Sequence, residues 1–224
     1  MTWMKGTFAG LLSVAVLFSG AAAQDTPQDP TVTASTPRER QIELALSAAP
    51  AEVSSKATVY ILGTKGYENA REGTNGFSCF IWRSFRETMQ VSAAPACFDA
   101  VGSRTLMVTA MRTEELRAQG KSEAEIKEDI AKGYKDGLYK APGPGFLYMM
   151  SNENYFYDSD AKQWAAVPPH MMFYAPNKTA KDVGYEAISS TMVPKLTGDG
   201  PETLIVVFAK KPSQDSSSAD SHKH

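Results

Sequence analysis

The apolar residues of this chain follow a helical period in some stretches and a strand-like pattern in others. The first helical stretch begins at Thr36, which suits the N-cap, with Pro37 at the first helical position and Glu39 placed to complete a capping box. An apolar stripe follows, and Pro50 is a stop signal. This pattern predicts an N-terminal helix that packs on a sheet.

Two further helices are predicted in the middle of the chain. The first covers residues 113–119 and stops at Gly120. The second opens with a capping box between Ser122 and Glu125 and ends near Gly137, which suits the C-terminal cap. Opposite charges four residues apart in the second helix are typical of a solvent-exposed face.

Strand patterns fill most of the remaining sequence. Three predicted strands are separated by two glycine-containing turns and predict an antiparallel meander: 56–62, 67–72 and 77–82. The pattern loosens over 92–96, and later strands are predicted at 104–111, 146–150, 155–157 and 162–167. The most continuous apolar run, 202–209, is predicted to be a central strand.

Together these elements predict an α+β fold: a single domain with a mainly antiparallel sheet, on which an N-terminal helix and a central helical pair pack. We expect the domain to cover residues 36–210. Residues 24–35 are polar and contain prolines, which predicts a disordered linker, and residues 211–224 predict a disordered polar tail.

The first 23 residues predict a signal peptide. Lys5 supplies a positive charge, an apolar segment follows over residues 8–18, and Ala21, Ala22 and Ala23 suit a cleavage site. The apolar segment is shorter than the roughly 20 residues that a spanning helix needs. We therefore expect an exported, soluble protein of the periplasm or the extracellular space, with no membrane span after cleavage.

Composition and cysteine content narrow the classes of function. Hydrophobic residues make up 42% of the chain, which is enough for a packed core, and the formal net charge is −2. The sequence has no basic stripe, which argues against nucleic acid as a partner. In an oxidising compartment the two cysteines, Cys79 and Cys97, predict a structural disulfide.

Four segments carry a resemblance to known sequences: AREGTNGFSCFI, CFDAVGS, RAQGKSEAEIKEDIAKGY and PPHMMFYAPN. In this combination the chain resembles a group of uncharacterised exported bacterial proteins, over most of its length after the linker. The resemblance implies an ordered domain in the bacterial envelope. It implies no activity, ligand or catalytic residue.

His170 is the candidate for acid–base chemistry, because it is the single histidine outside the predicted tail. A hydrolase of unfamiliar type would use His170 as general base, with Asp99 or Glu72 orienting the imidazole. The sequence contains no G-x-S-x-G elbow to supply a nucleophile. A histidine between prolines and methionines is more often a hydrogen-bonded packing residue.

No metal or cofactor site is predicted. The sequence has no H-E-x-x-H or C-x-x-C spacing, and residues 158–160 lack the glycine and distal glutamate of an EF-hand loop. Met171 and Met172 after His170, with Met149 and Met150, offer soft ligands that would suit Cu(I), but alternation along a strand would place one methionine of each pair in the core.

The richest group of polar and aromatic residues lies between residues 71 and 99. Arg71, Asn75 and Arg83 flank an aromatic strand, and an arginine beside a tryptophan at a sheet rim can bind an anionic ligand. With His170 and Tyr174 they make up the predicted ligand-binding residues. The alternative is an ordinary ion pair of either arginine with Glu72, Glu87 or Asp99.

Two functions therefore stay open. The first is a non-enzymatic envelope protein that binds a small ligand or a protein partner through the aromatic face of the sheet and the region of His170. The second is the hydrolase. Geometry separates them, because the hydrolase needs His170 in a pocket and within reach of a carboxylate.

Overall fold

The computed structural model of the chain describes residues 30–83, 89–158, 161–186 and 195–209, with the side chains of 89–92 excepted. The predicted signal peptide over 1–23, the first part of the predicted linker and the predicted tail over 211–224 lie outside these residues. Five α-helices and a ten-stranded, mostly antiparallel sheet are present in the described part. The predicted α+β class, with an N-terminal helix and central helices, is confirmed.

The helices fall into an N-terminal pair and a central group of three. Their bounds are α1 Arg38–Leu46, α2 Ala51–Ser54, α3 Ala100–Ser103, α4 Leu106–Ala118 and α5 Glu123–Lys135. Two 3-10 turns lie later in the chain, at Lys181–Val183 and Gly200–Glu202.

The strands come in a group before the central helices and a group after them. Their bounds are β1 Thr58–Gly63, β2 Gly66–Arg71, β3 Ser78–Trp82, β4 Met89–Phe98, β5 Phe146–Met149, β6 Tyr155–Asp158, β7 Gln163–Ala166, β8 His170–Tyr174, β9 Lys195–Thr197 and β10 Leu204–Phe208. Eight of them lie side by side in the order β2-β1-β3-β4-β5-β8-β10-β9. The hairpin of β6 and β7 pairs with the first half of β4.

The predicted meander is wrong at its third strand. β3 does not pair with β2; it lies on the other side of β1 and pairs with it in parallel, with Val59 opposite Cys79. The connecting segment crosses the start of β1, where Thr74 N donates to Lys56 O at 2.8 Å. A Cβ at Gly73 would lie 2.1 Å from Thr58 N, so the crossing requires glycine there.

The stretch predicted to loosen over 92–96 is instead part of β4. Its alanines are small enough to pack beneath α4, where Ala94 and Ala96 are buried.

Pro95 is tolerated inside β4 because of the register in which β4 pairs with β3. The Cα atoms of Cys79 and Cys97 lie 4.0 Å apart, as in a pair without mutual hydrogen bonds, so Pro95 also turns its backbone away from β3. On that side no strand lies opposite Pro95, because β5 pairs with Cys97 and Phe98 and β6 pairs with β4 only as far as Ala93. The N–H that proline lacks would therefore have had no partner in the sheet.

Two more element predictions are wrong. The strand predicted at 104–111 is the first half of α4, and the predicted helix at 113–119 is its second half. Leu106, Met107 and Ala110 fit a helix as well as a strand, and they pack on the sheet. The strand predicted to be central, β10, lies next to the short edge strand β9.

The helix ends were predicted with mixed success. The capping box of Ser122 and Glu125 is present at the start of α5, and Gly137 after its end has a φ of +76°. At α1 the N-cap is Pro37, and no side chain caps the helix. Thr36 Oγ1 accepts from Thr33 N at 3.1 Å, which stabilises the turn before the helix.

Two cores lie on the two faces of the sheet. On one face α4 covers Phe80, Phe98 and Leu147. On the other face α1 covers a cluster that contains both cysteines. A smaller cluster joins Val32 to Leu44, Ile81 and Ala93, so the end of the predicted linker belongs to the folded domain. No helix in the described residues is both long and apolar enough to cross a membrane.

The predicted disulfide is present between Cys79 and Cys97, which lie directly opposite each other on β3 and β4. We expect the double variant Cys79→Ala/Cys97→Ala to lose about 3 kcal/mol of unfolding free energy, because the bridge closes a loop of 18 residues. Urea unfolding of both proteins measures this loss. A reductant should lower the stability of the parent and leave the double variant unchanged; equal midpoints for the two proteins would contradict the expectation.

Candidate ligand-binding site

Arg71 and Asn75, two of the predicted ligand-binding residues, hold the backbone around the first hairpin. Arg71 Nη2 donates to Ser54 O at 2.7 Å and to Ala57 O at 2.9 Å. Asn75 Nδ2 donates to Val53 O at 2.8 Å, and its Oδ1 accepts from the backbone of the same turn. Both side chains therefore serve the fold, and Arg71 is not paired with Glu72, whose carboxylate accepts from Asn69 at 2.8 Å.

Arg83 lies at the far end of β3 and belongs to a buried group of charges. Its Nη1 donates to Glu114 Oε2 at 2.9 Å, and Glu114 is only 3% exposed. Arg117 also pairs with Glu114, and it donates to Glu123 Oε1 at 2.8 Å and to the carbonyl of Arg83 at 3.0 Å. The predicted ion pairs of Arg83 with Glu72 or Asp99 are thus wrong, and Glu87 lies outside the described residues.

Asp99 and Tyr174 do contact each other, but as a structural clasp. The Tyr174 hydroxyl lies 3.0 Å from Asp99 Oδ1 and 2.7 Å from Phe146 O. The Asp99 carboxylate also accepts from Gly102 N at 2.8 Å and from Phe146 N at 3.1 Å. Burial raises the pKa of Tyr174, and the neighbouring Asp99 raises it further. The clasp joins α3, β5 and β8.

His170 lies at the opposite end of β8 from this clasp. Tyr174 lies four positions further along the strand, a distance of about 13 Å. His170 is 2% exposed, and its Nδ1 lies 2.7 Å from Pro168 O, which fixes the tautomer with the proton on Nδ1. The structure therefore does not bring Asp99 to His170. Within the described residues no hydrogen bond or ion pair joins the imidazole to Glu72 or to any other carboxylate, so the geometry required for the hydrolase is not found.

One face of the later strands is partly exposed to solvent, and the site residues predicted from the sequence did not indicate it. Paired residues of β5, β8 and β10 share this face, and Phe77 at the start of β3 adjoins it. We call it the aromatic face and define it by Phe77, Phe146, Tyr148, Met171, Phe173 and Val207. Phe173 is 41% exposed and Val207 is 48% exposed, whereas the other members are half-buried.

The aromatic residues of this face contact one another in a continuous row. Phe77 and Phe146 have ring centroids 6.3 Å apart, Phe146 and Tyr148 5.1 Å, and Phe146 and Phe173 6.1 Å. A possible signal lies in the sequences of the strands, FLYM, HMMFY and LIVVF, which are apolar on both faces. Such strands are normally covered on both sides, and here one side is left partly uncovered.

A cleft of about 390 Å³ lies elsewhere, between α1 and the bend that joins β5 to β6. Apolar side chains form most of its lining, and Arg40 and Glu153 contribute the charges. These two residues form an ion pair. None of the residues predicted to bind a ligand lines this cleft. Within the same described part of the chain, no group of three His, Cys, Asp or Glu residues could hold a metal ion.

Comparison of the chain with protein-family models, with curated proteins and with solved structures finds no match in any of the three.

The buried His170 predicts a pH dependence of stability. Burial lowers the pKa of its imidazole, the hydrogen bond to Pro168 opposes this effect, and Lys195 lowers the pKa further. The unfolded chain, with an ordinary histidine pKa near 6.5, takes up the proton first as the pH falls. Stability attributable to this group is therefore present above about pH 6.5 and decreases as the pH drops below it, by at most about 1.4 kcal/mol per pH unit.

Urea unfolding between pH 7.5 and 5 measures this dependence in the parent and in His170→Gln. We expect a flatter profile for the variant, whatever its stability at pH 7.5. Parallel profiles would show that His170 is protonated equally in the folded and unfolded states.

The buried charges around Glu114 give a second expectation. Glu114→Gln should lower the unfolding free energy by about 3–5 kcal/mol, because it leaves the guanidinium groups of Arg83 and Arg117 without their shared carboxylate. Glu115→Gln is the matched control, since Glu115 is half exposed and pairs with Arg112 at the surface, and we expect it to cost less than about 1 kcal/mol. Thermal and urea unfolding measure both variants; similar losses in the two would contradict this interpretation of the network.

Proposed function

We propose that this chain is an exported, non-enzymatic protein of the bacterial envelope that binds a protein partner through the aromatic face. The observation that carries the proposal is the exposure of Phe173 and Val207 on neighbouring strands, beside a row of half-buried aromatic rings. Contiguous exposed apolar surface on a globular protein commonly marks an interaction site. The signal-like N-terminus and the resemblance to exported bacterial proteins support the location.

The chemistry of the face favours an apolar protein surface as its partner. β5, β8 and β10 contain no Asp, Glu, Lys or Arg, so association would depend on burial of apolar area and little on salt. Small-molecule sites are concave, whereas this face is the surface of a sheet. Aromatic side chains at the centre of such a patch supply most of the binding free energy in protein interfaces.

The face is also rigid before any partner binds. Its strands are hydrogen-bonded on both sides, with β8 between β5 and β10. The disulfide and the cluster beneath α1 adjoin it, because Tyr148 lies opposite Cys97 and packs against that cluster. A preformed face loses little conformational entropy on binding, which favours affinity.

Phe173→Asp tests the proposal, with Leu138→Asp as the matched control. Leu138 is 73% exposed and lies outside the aromatic face, so both variants place a carboxylate on an exposed apolar position. We expect a protein from the native envelope that binds the parent and Leu138→Asp with similar affinity and binds Phe173→Asp at least about tenfold more weakly. Affinity capture identifies the protein, and calorimetry on the purified pair gives the affinities.

Two results would contradict the proposal. One is that no envelope protein binds the parent with an affinity that calorimetry can measure. The other is that Phe173→Asp and Leu138→Asp bind equally well while both keep the circular dichroism spectrum of the parent.

A further inference from the structure

The cleft beside α1 is a second place where this chain can bind another molecule, and it shares no residue with the aromatic face. Its lining comes from the segment before α1, from α1 itself, from the end of β3 and the middle of β4, and from the bend between β5 and β6 with the first residue of β6. Its volume of about 390 Å³ is at the small end of the range for ligand sites in proteins. The size suits a small molecule and not a folded partner.

The interior of the cleft is apolar and firmly held. Ile81 is 3% exposed and packs with Val32, Leu44 and Ala93 in one cluster, and Pro95 continues this surface along β4. Because all of these side chains except Val32 come from the sheet and from α1, the surface is present before a ligand arrives. An apolar group placed here would gain free energy by leaving water.

The charged part of the cleft consists of one cation and one anion in contact. Arg40 on α1 pairs with Glu153 in the bend between β5 and β6, and it also lies 3.1 Å from Glu43 in the next turn of α1. Both members of the Arg40–Glu153 pair keep part of their side chains in water, with 40% and 45% exposure. A ligand can therefore approach the charges without first breaking a buried ion pair.

This arrangement selects for the charge pattern of the ligand. A ligand with only a carboxylate would compete with Glu153 for Arg40, and a ligand with only an amine would compete with Arg40 for Glu153. A zwitterion brings both charges at once, so the carboxylate can bind Arg40, the ammonium can bind Glu153, and each protein charge keeps an opposite neighbour. In an α-amino acid the ammonium and the carboxylate are attached to the same carbon atom, so the two charges lie close together, as this pair requires.

We infer that the cleft binds a free α-amino acid with an apolar side chain. The apolar side chain lies against Ile81, Leu44 and Ala93, and the zwitterionic head group lies at Arg40 and Glu153. The apolar surface supplies most of the binding free energy, and the charged pair sets the orientation and excludes molecules of a single charge.

Calorimetry on the full-length protein tests this inference with L-leucine and L-phenylalanine as probes. N-acetylphenylalanine lacks the ammonium group, and phenylalanine amide lacks the carboxylate, so they test the two charges separately. Arg40→Gln and Glu153→Gln remove the protein charges at half-exposed positions. Glu43→Gln is the matched control, because Glu43 pairs with Arg40 but does not line the cleft.

We expect at least one of the two amino acids to bind the parent, and each cleft variant to weaken that binding at least about tenfold, with less than about threefold change for Glu43→Gln. N-acetylphenylalanine should bind the parent weakly and bind Glu153→Gln no more weakly, because the group that contacts Glu153 is absent and Glu153 no longer competes for Arg40. Phe173→Asp should bind the amino acids as the parent does, so the outcome is independent of the aromatic face.

Three results would overturn the inference. The first is that neither amino acid binds the parent. The second is that Arg40→Gln and Glu153→Gln bind as tightly as Glu43→Gln. The third is that N-acetylphenylalanine or phenylalanine amide binds the parent as tightly as phenylalanine, which would remove the requirement for both charges.

Discussion

The pairing of β3 with β4 is the constraint on which the rest of this structure depends. β3 lies inside the sheet, with β1 parallel on one side and β4 antiparallel on the other, and both of its faces are covered. On the α1 face Cys79 and Cys97 join the two strands covalently at directly opposite positions. On the α4 face Phe80 stacks on Phe98, with ring centroids 5.4 Å apart. The register of this pair therefore determines where both helical layers can pack.

The two candidate binding surfaces lie where those helical layers end. α1 covers the disulfide cluster, and the aromatic face begins at Phe77 and Tyr148 on the border of that cluster. The cleft lies beside α1 on another side, where β4 extends beyond the end of β5. A short helix cannot cover a wide sheet, so parts of the sheet beside it stay uncovered. In this chain apolar side chains lie at both of these uncovered parts. Its folding core and its candidate binding surfaces are thus continuous.

Local signals in the sequence predicted part of this fold well. The capping box of Ser122 and Glu125, the hairpin of β1 and β2 and the disulfide were all correct, because each depends on residues close in sequence or on a simple pairing of two cysteines. β4 and the first half of α4 were not predicted, because alanine-rich and mixed apolar stretches fit either period. The parallel pairing of β1 with β3 depends on how the segment around Gly73 crosses the sheet, and periodicity carries no information about that crossing.

At the candidate site the sequence predicted still less, because the contacts there join residues that are far apart in the chain. Arg71 and Asn75 were correctly recognised as polar residues beside the first strands, but their partners are carbonyl groups 14 to 22 residues away. No sequence pattern identifies a particular carbonyl as an acceptor. Arg83 meets Glu114 across 31 residues, and the ion pair of Arg40 with Glu153 spans 113. Asp99 and Tyr174 do lie together, yet the tertiary packing makes them a clasp.

That clasp has a consequence for how the chain can change over evolution. The helical segment leaves the sheet after Phe98 and returns at Leu147, which is the residue paired with Phe98. Asp99 closes the two ends of the segment, and Gly102 and Gly145 give Tyr174 the space it needs beside the carboxylate. The segment that contains α3, α4 and α5 therefore acts as one long connection between the neighbouring strands β4 and β5. The loop after α5 can therefore change in length without shifting a strand, provided that these four residues at the base change only together; α5 itself is held by Arg117–Glu123 and by Tyr134–Glu202.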